Sequence, residues 1–151
     1  MDKAIQVLNG LLVEIFNDIL KIEQTALQQG KFNDLSITEI HTIEAIGLYE
    51  GRTMSEVAAD LDITVGTLTT AIQRLVKKGY VERKRIEEDR RIVQIQLTRK
   101  GKLAWRIHEK FHTDMIKNMV QGLELEDQQL LIGSLEQLHG FLKEKYHLGK
   151  E

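Results

Sequence analysis

Residues 53–98 read TMSEVAADLDITVGTLTTAIQRLVKKGYVERKRIEEDRRIVQIQLT. Thr53 stands three residues before Glu56, the spacing of a capping box that opens a helix. Val57, Ala58 and Leu61 give that helix an apolar face, and Asp62-Ile63 makes a tight connection. Thr64 then caps a second helix whose inward side is Leu68, Ala71, Ile72 and Leu75, at helical spacing. Gly79 ends it, behind Lys77 and Lys78, whose charges suit the negative end of the helix dipole.

From there the period drops from 3.6 to 2. Val93, Ile95 and Leu97 alternate with Gln94 and Gln96, the pattern of a half-buried strand, and Tyr80 to Ile86 reads as its partner. Between them Glu87-Glu88-Asp89-Arg90-Arg91 forms a charged tip. Two helices across a tight turn, followed by a basic hairpin, describe a winged helix-turn-helix. Its second helix is sized for a major groove and its hairpin for a neighbouring minor groove.

Charge is distributed to match. The whole chain of 151 residues carries 21 Lys and Arg against 23 Asp and Glu, a net of −2. From Thr64 to Lys110 there are 13 basic and 5 acidic residues, so that segment is strongly positive and the remainder strongly negative. Such asymmetry suits a protein that presents one face to a polyanion, although a solvated charged surface is the plainer alternative. The chain has no Cys, which excludes disulfides and thiolate metal sites and fits a reducing cytoplasm. No apolar run suffices for a membrane span, and no signal-peptide pattern is expected.

Outward from the centre, the chain reads as long amphipathic helices. The first runs from about Asp2 to Gln29, with one stripe of Ile5, Leu8, Leu12, Ile15, Ile19 and Ile22 and another of Leu11, Phe16, Leu20 and Leu27. A second helix starts at Ser36, where Glu39 completes another capping box, and turns Ile37, Ile40, Ile43 and Ile46 inward. Tyr49 to Arg52 is expected to be a turn. Thr98 caps a long helix to about Val120, with Leu103, Ile107, Phe111, Met115 and Met119 spaced by four and Ala104, Ile116 and Val120 widening the stripe. A last helix spans about Glu126 to Tyr146, with Leu131, Leu135, Leu138 and Leu142 on one face.

The fold class expected is mainly α with a small β-hairpin wing, in one domain over 1–151. Residues 36–101 form the winged unit, and 1–35 and 102–151 supply dimerisation helices, because these flanks carry more apolar surface than one small domain needs. A twofold dimer would set two recognition helices about one DNA turn apart, roughly 34 Å, on a pseudopalindromic operator.

The wing carries a family signature. Asp89-x-Arg91, five further residues, then Leu97-Thr98 and Gly101 resemble the MarR family of bacterial transcription regulators, as does the order of elements along the whole chain. The resemblance implies that Asp89 orients Arg91 toward the minor groove. Within that family, His41-Thr42-Ile43, residues 64–70, residues 78–83, Arg106-Ile107-His108 and Phe111-His112 are similar to repressors of fatty acid synthesis genes. That likeness implies a long-chain acyl-acyl carrier protein as corepressor. Ile15, Phe16, Ile19, Ile40, Ile43, Ile107, Phe111 and Met115 offer apolar material for an acyl pocket, or simply core.

The expected DNA-contacting residues follow from a helical wheel with Leu68 and Ile72 inside. Gly66, Thr70, Gln73 and Lys77 face out, flanked by Thr67, Thr69 and Arg74. Gln73 is suited to bidentate contact with adenine. Arg74 and Lys77 suit phosphates, and Thr64 leaves a helix N-terminus for the same purpose. Gly66 either admits close approach of the backbone to DNA or is a helix defect costing about 1 kcal/mol. In the wing, Arg90 and Arg91 are groove candidates and Arg85 a backbone contact; the alternative is that Asp89 and Arg91 merely brace the hairpin.

Two other readings compete. His108 and His112, four apart on one helix, together with His41 near Glu23, suggest a zinc-responsive regulator, against which stand the missing Cys and the lack of a His-Glu-x-x-His motif. A winged-helix protein-interaction module without DNA binding is the other. An enzyme is not expected: there is no phosphate-binding Gly loop, nucleophile elbow or placed carboxylate pair. No catalytic residue and no cofactor is assigned.

Overall fold

The computed structural model describes residues 2–148. In chain order the elements are α1 (Lys3–Gln29), α2 (Ile37–Ile46), β1 (Arg52–Thr53), α3 (Met54–Leu61), α4 (Val65–Lys78), β2 (Val81–Arg85), β3 (Val93–Leu97), α5 (Arg99–Val120) and α6 (Leu125–Tyr146). The chain divides into two compact units within α2, one ending at His41 and the other starting at Thr42.

In the first unit, Asp2 caps α1 by accepting the Ala4 amide at 3.2 Å. The Ser36 capping box is complete: the Ser36 hydroxyl accepts the Glu39 amide at 3.1 Å, and the Glu39 carboxylate accepts the Ser36 amide at 3.0 Å. Phe32, Leu35 and Ile40 are buried, whereas the apolar residues of both α1 stripes are almost all exposed, Phe16 at 71%.

In the second unit the expected helix-turn-helix and wing are present, built from local signals. Thr53 accepts the Glu56 amide and Thr64 the Thr67 amide, each at 3.1 Å, so both caps work through the side chain. Asp62 takes a left-handed conformation at φ 54° and ends α3. Gly79, at φ 88°, ends α4, and the Tyr80 amide reaches back to the Leu75 carbonyl at 2.9 Å. Val57, Leu68, Ile72, Leu75, Tyr80 and Ile95 are fully buried. Burying an aliphatic side chain of this size is worth about 1.5–3 kcal/mol, so this small cluster holds the unit together.

Three expectations need correction. Arg52, expected in the turn, instead forms a third strand with the capping Thr53: Arg52 pairs with Ile95 and Thr53 with Gln94, giving an antiparallel sheet in the order β1-β3-β2. The partner of β3 is shorter than 80–86, because Tyr80 closes the turn after α4 and Ile86 belongs to the tip. Of the apolar stripe expected on α5 only Ala104 is buried, beside Gly101 and His108, while Leu103, Ile107, Ile116 and Met119 are exposed. The reason is distance. At Gly101 the helix passes so close to the Tyr80 carbonyl that a Cβ would lie 2.1 Å from its oxygen, so only the smallest side chains face the sheet there. Along α6, Leu131, Leu135, Leu138 and Leu142 are exposed as well.

Thr98 joins three elements. Its hydroxyl accepts the Gly101 amide at 3.2 Å and donates to the Gly79 carbonyl at 2.6 Å, tying the end of α4 to the start of α5 directly after β3. Thr98→Ala is expected to cost about 1–2 kcal/mol, from one lost cap and one carbonyl left without its donor. The readout is the midpoint of urea unfolding at fixed protein concentration; Thr98→Ser should restore most of it, and an unshifted alanine midpoint would contradict the account.

Candidate nucleic-acid interface

α4 displays its outward side as the wheel requires. Leu68, Ile72 and Leu75 are buried, and Thr64, Gly66, Thr67, Thr70, Gln73, Arg74 and Lys77 are exposed. Thr69 departs from the group: it is half-buried and its hydroxyl donates to the Val65 carbonyl at 2.8 Å, which occupies its polar hydrogen within the helix. The Thr64 hydroxyl donates to that of Thr67 at 2.9 Å while capping the helix. Val65, which the sequence reading passed over, is exposed at the first turn, where a branched methyl group is suited to a thymine methyl. Its signal was apolar character just after an N-cap, a position that on a wheel looks like half-buried surface. A Cβ at Gly66 would meet only the Thr64 hydroxyl oxygen, at 3.9 Å, so the protein itself does not demand glycine there.

The wing is a five-residue ladder, Val81 opposite Leu97 through Arg85 opposite Val93. The tip folds back on itself: the Ile92 amide donates to the Asp89 carbonyl at 3.0 Å, and the Arg85 guanidinium donates to the Arg90 carbonyl at 2.6 Å. Arg85 thus braces the tip, a role the sequence reading did not assign to it. Asp89 receives three bonds from one residue. The Arg91 amide and Nε donate to one carboxylate oxygen at 3.1 and 3.0 Å, and a terminal nitrogen donates to the other at 3.1 Å. A forked arginine on a carboxylate has a defined direction, unlike a single-point ion pair. The Arg91 side chain is nonetheless 91% exposed, so its other donors face outward. The Arg91 side chain, then its amide, hold the Asp89 carboxyl below its ordinary 3.8. The pair therefore stays intact above that value and opens only as acid protonates Asp89.

Histidine and carboxylate side chains meet within each of the two units. In the first unit, His41 Nε2 lies 2.7 Å from the buried Glu23 carboxylate. In the second, His108 and His112 meet Glu44 of α2, a residue the sequence reading did not single out.

Among the described residues no helix is long and apolar enough to cross a membrane. A family model described as the MarR family matches residues 33–92. The chain is 41% identical to the protein in the crystal structure of Streptococcus pneumoniae FabT in complex with DNA, covering 92% of this chain and 97% of that one with a TM-score of 0.87. A MarR family protein from Bacillus stearothermophilus shares the fold, with a TM-score of 0.79 at 18% identity over 95% of this chain and 99% of that one. Among curated relatives, the HTH-type transcriptional regulator PchR of Bacillus subtilis is 27% identical over 72% of this chain and 66% of its own length. SarZ of Staphylococcus saprophyticus is 42% identical over 46% of this chain and 47% of its own. The chain thus spans about half to two thirds of these curated relatives. All are transcriptional regulators by name, not enzymes. With its helix-turn-helix, its Asp89-Arg91 wing and an alignment that runs nearly end to end, this chain belongs to the MarR family of winged-helix regulators.

Proposed function

We propose that this protein is a cytoplasmic homodimeric repressor that reads a pseudopalindromic operator at fatty acid synthesis genes and is tightened on DNA by long-chain acyl-acyl carrier protein. The observation that carries the reading is the 41% identity, over 92% of the chain, to a FabT whose structure holds DNA. The exposed side of α4 and the oriented Arg91 support it independently. In this reading Gln73, Thr70 and Thr67 meet base edges from α4, with Gly66 allowing close approach, and Arg91 enters the minor groove. Arg74, Lys77, Arg90 and the N-terminus capped by Thr64 hold phosphates, which places the dimer without reading sequence. Arg85 contributes charge while bracing the wing, and Thr69 contributes its methyl group only.

The dimer reading is supported by apolar exposure. Leu8, Leu11, Phe16 and Leu20 on α1 and Leu130, Leu135, Leu138 and Phe141 on α6 are all at least half exposed in the single chain. Runs of this kind are rare on monomers and suit burial against a second copy. We assign this role to residues 1–35 and 102–151.

The test is fluorescence anisotropy of a labelled fatty-acid-synthesis promoter duplex, with and without long-chain acyl-acyl carrier protein. The expected result is binding that weakens steeply with salt, as counterion release requires, and tightens with the acyl carrier. Binding without response to the acyl carrier would remove the corepressor and leave the regulator. No salt-dependent binding to any duplex would favour a protein-interaction module instead.

A further inference from the structure

We infer that Val65 and Thr69 form an apolar strip on one flank of α4 that reads the 5-methyl groups of thymines in the major groove. The inference deepens the DNA-binding reading above and rests on it. Val65 is 44% exposed, although α4 has an ample buried side in Leu68, Ile72 and Leu75. Residues four apart lie one above the other on a helix, so Thr69 continues Val65 along the same flank. Thr69 is half-buried, and its hydroxyl donates to the Val65 carbonyl at 2.8 Å. Its polar hydrogen is thus used inside the helix, and its methyl group is what remains to discriminate between bases. Gly66 points the same way. It follows Val65 in the first turn, where glycine is the poorest helix former after proline. A Cβ there would meet only the Thr64 hydroxyl oxygen, at 3.9 Å. Nothing in the described chain calls for glycine at this place, whereas a backbone drawn close to base edges does.

The surroundings decide what covers the strip. Thr64, Thr67, Thr70 and Gln73 beside it are polar and exposed. A second copy of the chain packed there would strand their hydrogen-bonding groups, whereas a major groove offers them donors and acceptors. Thymine is the base that presents a methyl group on its major-groove edge. Against the amino group of cytosine or adenine, or N7 of a purine, Val65 would desolvate a polar atom and form no hydrogen bond in return. The strip therefore selects by attraction at thymine and by penalty elsewhere. The rise over four helical residues is about 6 Å, close to two base steps of about 3.4 Å, so the thymines read by Val65 and Thr69 are near neighbours in each half-site.

The test begins with duplexes that the full-length protein selects from a random pool, which supplies an operator whatever genes it serves. Each thymine is then replaced by 2′-deoxyuridine, which removes only the methyl group, and binding is followed by anisotropy at fixed salt. The parent is expected to lose about fourfold in affinity when a read thymine is replaced in one half-site, and about fifteenfold when it is replaced in both. Val65→Ala, at an exposed helical position that favours alanine, should keep the circular dichroism of the parent. It should bind the thymine duplex at least as weakly as the parent binds the uracil one, and be indifferent to the replacement at that thymine. Thr69→Val keeps the methyl group and should keep uracil sensitivity at the neighbouring thymine, whereas Thr69→Ser removes it and should lose that sensitivity. A parent indifferent to uracil at every position would overturn the strip. So would a Val65→Ala protein with the parent's full uracil sensitivity throughout. Enrichment of no duplex at all would instead remove the DNA-binding reading, and the strip with it.

Discussion

Arg91→Ala is expected to abolish most operator affinity while leaving the folded dimer intact. The side chain is 91% exposed, and its bonds go to Asp89 at the tip of the hairpin, outside the core formed by Leu68, Ile72, Tyr80 and Ile95. Exposed ion pairs contribute little to stability, so thermal unfolding should barely move. The groove contact is different. A well-placed base contact is worth on the order of 1–3 kcal/mol, and a twofold dimer makes it twice. The loss is then about thirty-fold to twenty-thousand-fold in Kd, with about 1.4 kcal/mol per factor of ten. Asp89→Ala gives the internal comparison. It leaves the guanidinium charge but removes the fork that aims it, so a smaller loss is expected, and a steeper salt dependence of the remaining binding than in Arg91→Ala. Anisotropy at several salt concentrations measures both. An Arg91→Ala affinity within a few tenths of a kcal/mol of the parent would refute the groove role and leave Arg91 as a brace for the wing.

Gly101→Ala is expected to be the most destabilising single-methyl change in the second unit, and its sign separates two principles. Helix propensity alone favours alanine by about 1 kcal/mol. The structure opposes it, because the added Cβ would lie 2.1 Å from the Tyr80 carbonyl oxygen and 3.2 Å from the Leu97 Cβ. The carbonyl cannot yield cheaply, since it also accepts the Thr98 amide at 3.0 Å and Tyr80 itself is fully buried. Overpacking against backbone costs about 3 kcal/mol or more, which for a chain of this size lowers Tm by roughly 6–12 °C. Gly133→Ala in α6 is the control. Nothing lies within 4 Å of the added methyl there, so propensity should act alone in the chain's own frame. Melting scans at matched protein concentration compare the two. A Gly101→Ala protein as stable as its parent would mean that α5 does not pack this closely on the sheet.

What the sequence determined by itself is what depends on neighbours within one turn of chain. The capping box at Ser36, the caps at Thr53, Thr64 and Thr98, the left-handed Gly79 and the alternation from Val93 to Leu97 each involve residues two to four apart, and each appears where it was read. The outward face of α4 was legible for the same reason, since burying Leu68, Ile72 and Leu75 leaves Thr70, Gln73, Arg74 and Lys77 outside. Tertiary structure decided what depends on partners remote in sequence. Two-residue β1 has no period to detect and exists only because Arg52 and Thr53 find Ile95 and Gln94. At Gly101 the approach of the Tyr80 carbonyl leaves no room for a side chain, and on the turns that follow Ala104 and His108 are buried where Leu103 and Ile107 stay exposed. Glu44 gave no signal on α2 until folding set its carboxylate against two imidazoles of α5, so the pairing of His108 with His112 was readable and its third member was not.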